Sequence, residues 1–268
     1  MAEWRVEVAA LTDVGTERPH NEDACAAMTE GEGLGLVAVA DGVSLGAAGE
    51  VASQLAVEVL VRAYREEPPA HPAGQRLYRA VQQANIEIYD KAVAVPELRG
   101  MSTTLTAAVV DRGALTVVHV GDSRLYLIRG GTITQLTRDH TVAAEKVRMR
   151  LLSAERARLH PDRSVLTRSV GRELIVARDR ISQPVGGGDV LLVCSDGLHG
   201  VLPDAALAQL AAAHPPAEAC RALLEAANAL GTPDNLSAAI LRVADDAPPP
   251  PAEEPSIAAR MRRILGLG

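Results

Sequence analysis

The chain has 268 residues, is 47% hydrophobic and carries a formal charge of −7, and about 240 residues fit one large domain around one substantial core. Phe is absent and aromatics make up 2%, so the core is built from Ala, Val, Leu and Ile, and neither base-stacking platforms nor a general nucleic-acid surface is expected. No apolar stretch reaches 18 residues and the start, Met1-Ala2-Glu3-Trp4-Arg5, has no signal-peptide layout, which predicts a cytoplasmic protein without a transmembrane segment.

In chain order, Val6–Leu11 reads as a first strand and Leu34–Ala40 as a second or third. Val51, Leu55 and Val59 then recur at helical spacing. Leu77, Val81, Ala84 and Ile88 form another helical stripe, with Pro72 before it and Pro96 beyond. Three strand-like runs follow, Thr103–Val110, Leu115–Val120 and Leu125–Ile128, and Gly130-Gly131 turns the last into Thr132–Leu136 as a hairpin. Asp189–Cys194 is a strand, preceded by the flexible turn Gly186-Gly187-Gly188. Ala217–Leu230 is a helix stopped by Gly231, and Leu236–Val243 is a last strand. Grouped strands and grouped helices favour α+β over an alternating parallel sheet. The cysteines Cys25, Cys194 and Cys220 show no metal or redox spacing and read as reduced thiols.

Two segments stand apart. Residues 143–172 hold eight Lys/Arg, namely Lys146, Arg148, Arg150, Arg156, Arg158, Arg163, Arg168 and Arg172, against Glu145, Glu155 and Asp162. A solvated helical face is the plain explanation for such a run. Residues 246–256 are a stiff Pro-rich linker containing Pro248–Pro251, which divides a domain of residues 1–245 from a tail of residues 257–268. In that tail Ile257, Met261, Ile264 and Leu265 share one helical face, with Arg260, Arg262 and Arg263 elsewhere. Such a basic amphipathic helix can dock on a partner or a membrane surface, and a frayed terminus is its alternative.

Three apolar runs end in aspartate: Leu36-Val37-Ala38-Val39-Ala40-Asp41-Gly42, Val117-Val118-His119-Val120-Gly121-Asp122 and Val190-Leu191-Leu192-Val193-Cys194-Ser195-Asp196-Gly197. A fourth acid stands in Gly231-Thr232-Pro233-Asp234-Asn235. Singly these are ordinary turn dipeptides. Recurring at the ends of strands, they place carboxylates on the rim of a sheet, where a hard divalent cation best relieves their repulsion.

With Thr12-Asp13-Val14-Gly15 and Arg18-Pro19-His20-Asn21-Glu22-Asp23 added, the chain resembles the type 2C metal-dependent serine/threonine phosphatase (PPM) family, its compact bacterial branch in particular. The ordered motifs run from residue 5 to 243 and include Gly46-Ala47-Ala48-Gly49-Glu50, Gly100-Met101-Ser102-Thr103-Thr104-Leu105, Val120-Gly121-Asp122-Ser123-Arg124, Asp139-His140-Thr141 and Pro233-Asp234-Asn235.

The resemblance implies a four-layer α-β-β-α sandwich, with two antiparallel sheets between helix pairs. It implies that Asp41 bridges two Mg²⁺ or Mn²⁺ ions with help from the Gly42 carbonyl, and that Asp196 and Asp234 ligate the other ion. Glu22 and Asp23 would bind metal-bound waters, and Asp122 with Asp196 would hold a third, weaker ion. Arg18 would clamp the substrate phosphate with a planar, permanently charged fork. Residues 143–172 would correspond to the family's flap beside the active site. The implied reaction is hydrolysis of phosphoserine or phosphothreonine by a water activated between two ions. Its implied substrates are phosphorylated proteins made by a serine/threonine kinase, and a monomer is expected.

Two departures from the family pattern bear on rate. Val43-Ser44-Leu45-Gly46 follows Asp41-Gly42 where bacterial relatives usually read Met-Gly-Gly-His, so the His proposed as general acid in eukaryotic relatives is replaced by Val43. Ser102 stands where the family prefers Gly. A proton for the leaving serine alkoxide must then come from a metal-bound water or a nearby His. A pseudophosphatase that binds phosphoproteins without turnover and a small-molecule phosphohydrolase are the competing functions; the complete set of metal acids favours the enzyme.

Overall fold

The computed structural model describes residues 3–43 and 47–249. Ser44, Leu45 and Gly46, the end of the Pro-rich linker and the basic tail of residues 257–268 lie outside the described residues.

Two five-stranded sheets form the centre. The first runs β1 (Val6–Asp13), β10 (Leu236–Val243), β9 (Val190–Cys194), β6 (Arg124–Arg129) and β7 (Thr132–Gln135). The second runs β2 (Asp23–Thr29), β3 (Leu34–Asp41), β4 (Leu105–Asp111), β5 (Ala114–Val120) and β8 (Asp179–Pro184). All pairings are antiparallel.

Alternate residues of the central strands explain the layering. Val37, Val39, Val117, Leu191, Val193 and Leu241 point between the sheets and form the middle core. Their neighbours Leu36, Ala38 and Ala40 point outward, under α1 (Ala47–Glu66) and α2 (Ala73–Ala94). Leu192, Cys194 and Ile240 do the same under α6 (Asp204–Ala213) and α7 (Pro216–Ala229). Because both faces of these strands are covered, they read as continuous apolar runs rather than alternating ones. Each buried Leu or Val contributes roughly 1.5–3 kcal/mol. The architecture is the expected α-β-β-α sandwich.

Some boundaries differ from the sequence expectation. The strand expected from Thr103 begins at Leu105. Thr103 instead makes isolated bridges to Gly42 and Val170, so it stitches loops rather than extending a ladder. Strand β2 carries no β-branched residue before Thr29, and β8 has a single aliphatic side chain, Ile181; neither advertises itself by propensity. Residues 143–172 hold all but the first residue of α3 (Val142–Arg148) and the whole of α4 (Ala154–Arg158). A short helix, α5 (Asp196–His199), follows β9. The three cysteines are unpaired, with Cys194 and Cys220 buried. No helix among the described residues is long and apolar enough to cross a membrane.

Candidate metal centre and active site

Strand geometry gathers the acids at one end of the sandwich. Asp23 opens β2 directly opposite Asp41, the last residue of β3. Asp122 follows β5, Asp196 follows β9 and Asp234 precedes β10. Since β9 and β10 are hydrogen-bonded neighbours, their loops bring the last two acids to the same rim.

Each acid is held through its neighbours. The Asp41 N–H donates to Thr104 Oγ1 (2.9 Å), while Thr103 Oγ1 and the Thr104 N–H both donate to the Asp41 carbonyl (2.8 Å each). Thr104 Oγ1 also meets Ser123 Oγ at 2.7 Å, beside Asp122. The His199 ring Nε2 lies 3.1 Å from the Asp122 carbonyl. Ser195 Oγ donates to Asp23 (2.7 Å) and accepts from the Ser237 N–H (3.0 Å), which makes this serine a brace between loops. Close backbone approach adds precision at two glycines. A Cβ on Gly42 would sit 2.4 Å from the Gly49 carbonyl oxygen and 2.8 Å from that of Glu22, and one on Gly197 would sit 2.0 Å from the Asn235 carbonyl oxygen.

Electrostatics tests whether these residues fit a cation. Burial raises the Asp41 carboxyl well above its ordinary range, and Asp23, Asp196, Asp122 and Asp234 push it further. Burial pushes Asp23 up to about 7 against the hydrogen bonds from Ser195 and Ser237. Burial and then Asp234 push Asp196 up to about 6. Asp122 is raised well above its range by burial, Asp196 and Asp139, with Arg124 opposing. Four acids whose ionisation is resisted, Asp23, Asp41, Asp122 and Asp196, with Asp234 adding negative charge beside them, offer hard oxygen donors that fit Mg²⁺ or Mn²⁺ rather than zinc. Among the described residues no three or more Asp, Glu, His or Cys side chains converge as a ready-made ligand set, so charge coupling, rather than a closed shell, joins them.

The expected phosphate clamp lies at the same rim. Arg18 Nη2 reaches Asp234 Oδ2 at 2.8 Å and Nε donates to the Pro233 carbonyl at 3.1 Å. Its ion-pair partner is Asp234. Glu22 is raised mainly by burial and then lowered by Arg18, and its carbonyl accepts from the Gly42 N–H at 2.9 Å.

Sequence reasoning gave Asn235 no role, yet it organises this loop. Its Oδ1 accepts from the Glu22 N–H (2.9 Å), and its Nδ2 donates to the carbonyls of Val14 (2.8 Å) and His20 (2.9 Å). Arg124 and Asp139 form a second unassigned device, a forked pair at 2.7–3.2 Å in which Arg124 is the positive charge near Asp122 and Asp139 opposes it. The signal for both was their place inside motifs. The two departures from the family pattern also meet: the Val43 N–H donates to the Ser102 carbonyl at 2.9 Å, and Val43 is 43% exposed.

A two-sheet sandwich with a carboxylate rim and an adjacent arginine defines a metal-dependent phosphate-ester hydrolase. The protein phosphatase 2C family model matches residues 16–240, and the chain belongs to that family. It is similar to the serine/threonine phosphatase stp of Listeria innocua, with 35% identity over 230 residues, covering 84% of this chain and 91% of that one. Among solved structures it is similar to the serine/threonine phosphatase PstP/Ppp of Mycobacterium tuberculosis, with TM-score 0.81, 34% identity, and coverage of 89% of this chain and 99% of that one. The PstP catalytic domain in complex with two manganese ions gives TM-score 0.79 and 33% identity, covering 90% of this chain and all of that one. The chain is accordingly a metal-dependent protein-serine/threonine phosphatase.

Proposed function

We propose that this chain removes phosphate from phosphoserine and phosphothreonine in proteins modified by a serine/threonine kinase, using two divalent ions held by Asp41, Asp196 and Asp234. The observation that carries this reading is the placement of Asp41 opposite Asp23 at the end of β3, at the rim where Asp196 leaves β9 and Asp234 enters the neighbouring β10. In this reading the Gly42 carbonyl assists Asp41, and Glu22 and Asp23 orient water around the ions. Two divalent ions, when bound, supply a water that ionises near neutral pH and neutralise phosphoryl charge. Asp122, coupled to Asp196, is the residue for a third, weaker ion.

The remaining work belongs to side chains of this chain. Arg18 turns from Asp234 to the phosphate oxygens, and its fork fixes the ester for in-line displacement. The leaving alkoxide needs a proton. His119, His140 and His199 are engaged at their ring nitrogens inside the protein. His20 is exposed on the Arg18 loop, and its carbonyl is pinned by Asn235; its imidazole delivers the proton to the serine or threonine oxygen in this reading.

The test is release of phosphate from a phosphothreonine peptide with Mn²⁺, after chelation, and after Mn²⁺ is returned. The reading requires activity, loss and recovery in that order. Activity unchanged by chelation contradicts it.

A further inference from the structure

Between α3 and α4 lies an open groove of about 520 Å³, lined by Val147, Arg150, Leu151, Leu152, Ser153 and Arg156. Several cations of this basic segment are already engaged: Arg148 with Glu145, Lys146 with Asp162 at 3.3 Å and Arg168 with Asp179 at 3.0 Å. Arg150 and Arg156 are exposed, and neither enters an ion pair among the described residues. Leu151 stands beside them, 73% exposed.

The backbone at Arg150 is unusual for its residue type. At the end of α3 the Leu151 N–H reaches the Lys146 carbonyl (2.8 Å) and the Arg150 N–H reaches that of Val147 (2.9 Å). This is a Schellman ending, whose left-handed position normally holds glycine. Here Arg150 occupies it with φ 59°. A side chain with a Cβ is disfavoured there, so the fold alone would favour glycine, and an outlier of this kind points to use.

The segment that carries the groove is anchored at its base to the loops of the candidate metal site. The base of its segment is closed by the Thr141–Leu166 bridge and by the Val142 N–H on the Val165 carbonyl at 2.9 Å. On one side His140 exchanges hydrogen bonds with Gly121, next to Asp122: its N–H donates to the Gly121 carbonyl (2.7 Å) and its Nδ1 accepts from the Gly121 N–H (3.1 Å). On the other side Val170 pairs with Thr103, whose hydroxyl holds the Asp41 carbonyl.

We propose that this groove binds acidic side chains flanking the phosphorylated residue of a protein substrate, with Arg150 and Arg156 as the charges and Leu151 as an apolar floor. The proposal rests on the phosphatase reading above and adds its substrate class. Two unpaired cations on a protein of net charge −7 suit a short acidic peptide segment, whereas a nucleic acid needs a continuous basic face.

The test compares wild type, Arg150→Gly and Arg156→Gln, all with Mn²⁺. The substrates are a phosphothreonine peptide with Glu flanks, one with Lys flanks, and p-nitrophenyl phosphate, each at low and high salt. Wild type should prefer the Glu-flanked peptide, and each variant should lower its kcat/KM by roughly threefold to tenfold. High salt should erase the preference. The other two substrates should hold their rates. Arg150→Gly should keep or raise Tm, since glycine suits the left-handed position, so its loss cannot be ascribed to unfolding. No acidic preference in wild type, no loss in either variant, or equal loss on all three substrates overturns the proposal. Failure of wild type to hydrolyse any of the three would instead contradict the phosphatase reading beneath it.

Discussion

Arg18 Nη2 sits 2.8 Å from Asp234 Oδ2, so the residue assigned to the substrate phosphate is paired with a residue assigned to metal. The two groups lie 216 positions apart in sequence and about half their side-chain surface or less is exposed, 48% and 34%. An exposed pair of this kind is weak, roughly 0–1 kcal/mol, so a phosphate dianion and a cation can each take over its partner.

Arg18→Ala should therefore raise KM for phosphopeptides roughly tenfold, because a charge-assisted forked contact is worth about 1.5–3 kcal/mol. The Mn²⁺ concentration for half activation should not rise, since a positive neighbour of Asp234 and Asp196 has been removed. Steady-state kinetics over peptide and Mn²⁺ checks both, and an unchanged KM places Arg18 outside the site.

Asp41 is crowded by four acids, and Asp41→Asn removes one charge from that crowd. The metal-free variant should melt higher than metal-free wild type, by roughly 2–4 °C for each kcal/mol of repulsion relieved. Wild type should gain stability from added Mn²⁺, and the variant should gain little. Thermal melts with and without Mn²⁺ decide it; an equal Mn²⁺ gain in both proteins removes Asp41 from the ligand set.

His20 is tested by leaving group. A serine alkoxide needs a proton, whereas p-nitrophenolate leaves without one. His20→Gln should lower kcat on a phosphoserine peptide by roughly 10²-fold and leave p-nitrophenyl phosphate turnover nearly intact. Equal effects on both substrates indicate that His20 only shapes the loop.

Asp122 is tied by charge most strongly to Asp196, and it follows β5, outside the Asp41–Asp23 strand pair. Asp122→Ala should lower turnover while two Mn²⁺ ions remain tightly bound, measured by calorimetric stoichiometry. A variant that binds fewer than two tight ions assigns Asp122 to the principal pair.

The parts of this molecule legible in its sequence are those with strong local signals. Strands β3, β9 and β10 are apolar runs rich in Val, Leu and Ala, and Ala217–Leu230 ends at Gly231, φ 73°, one residue past the α7 C-cap. The Ala-rich α6 and the polar edge strand β8 lack such signals and are set by tertiary packing. The acids were visible as strand-end punctuation, and their function came from the family resemblance. What was hidden is relational: the Arg18–Asp234 pair, the three bonds of Asn235 and the Ser195–Asp23 brace each join residues more than 170 positions apart. The left-handed Arg150 was hidden for the opposite reason, since the residue type argues against the conformation it adopts.

The central claim is that the acids at this rim hold the ions that make the chain a phosphatase. The most direct measurement is phosphothreonine-peptide hydrolysis by wild type and Asp234→Asn side by side across a Mn²⁺ titration. Wild type should be silent under EDTA and activated by Mn²⁺, while Asp234→Asn, still folded, should lose nearly all turnover at Mn²⁺ levels that saturate wild type. Full activity in chelated wild type, or an Asp234→Asn curve superimposed on that of wild type, would contradict the account.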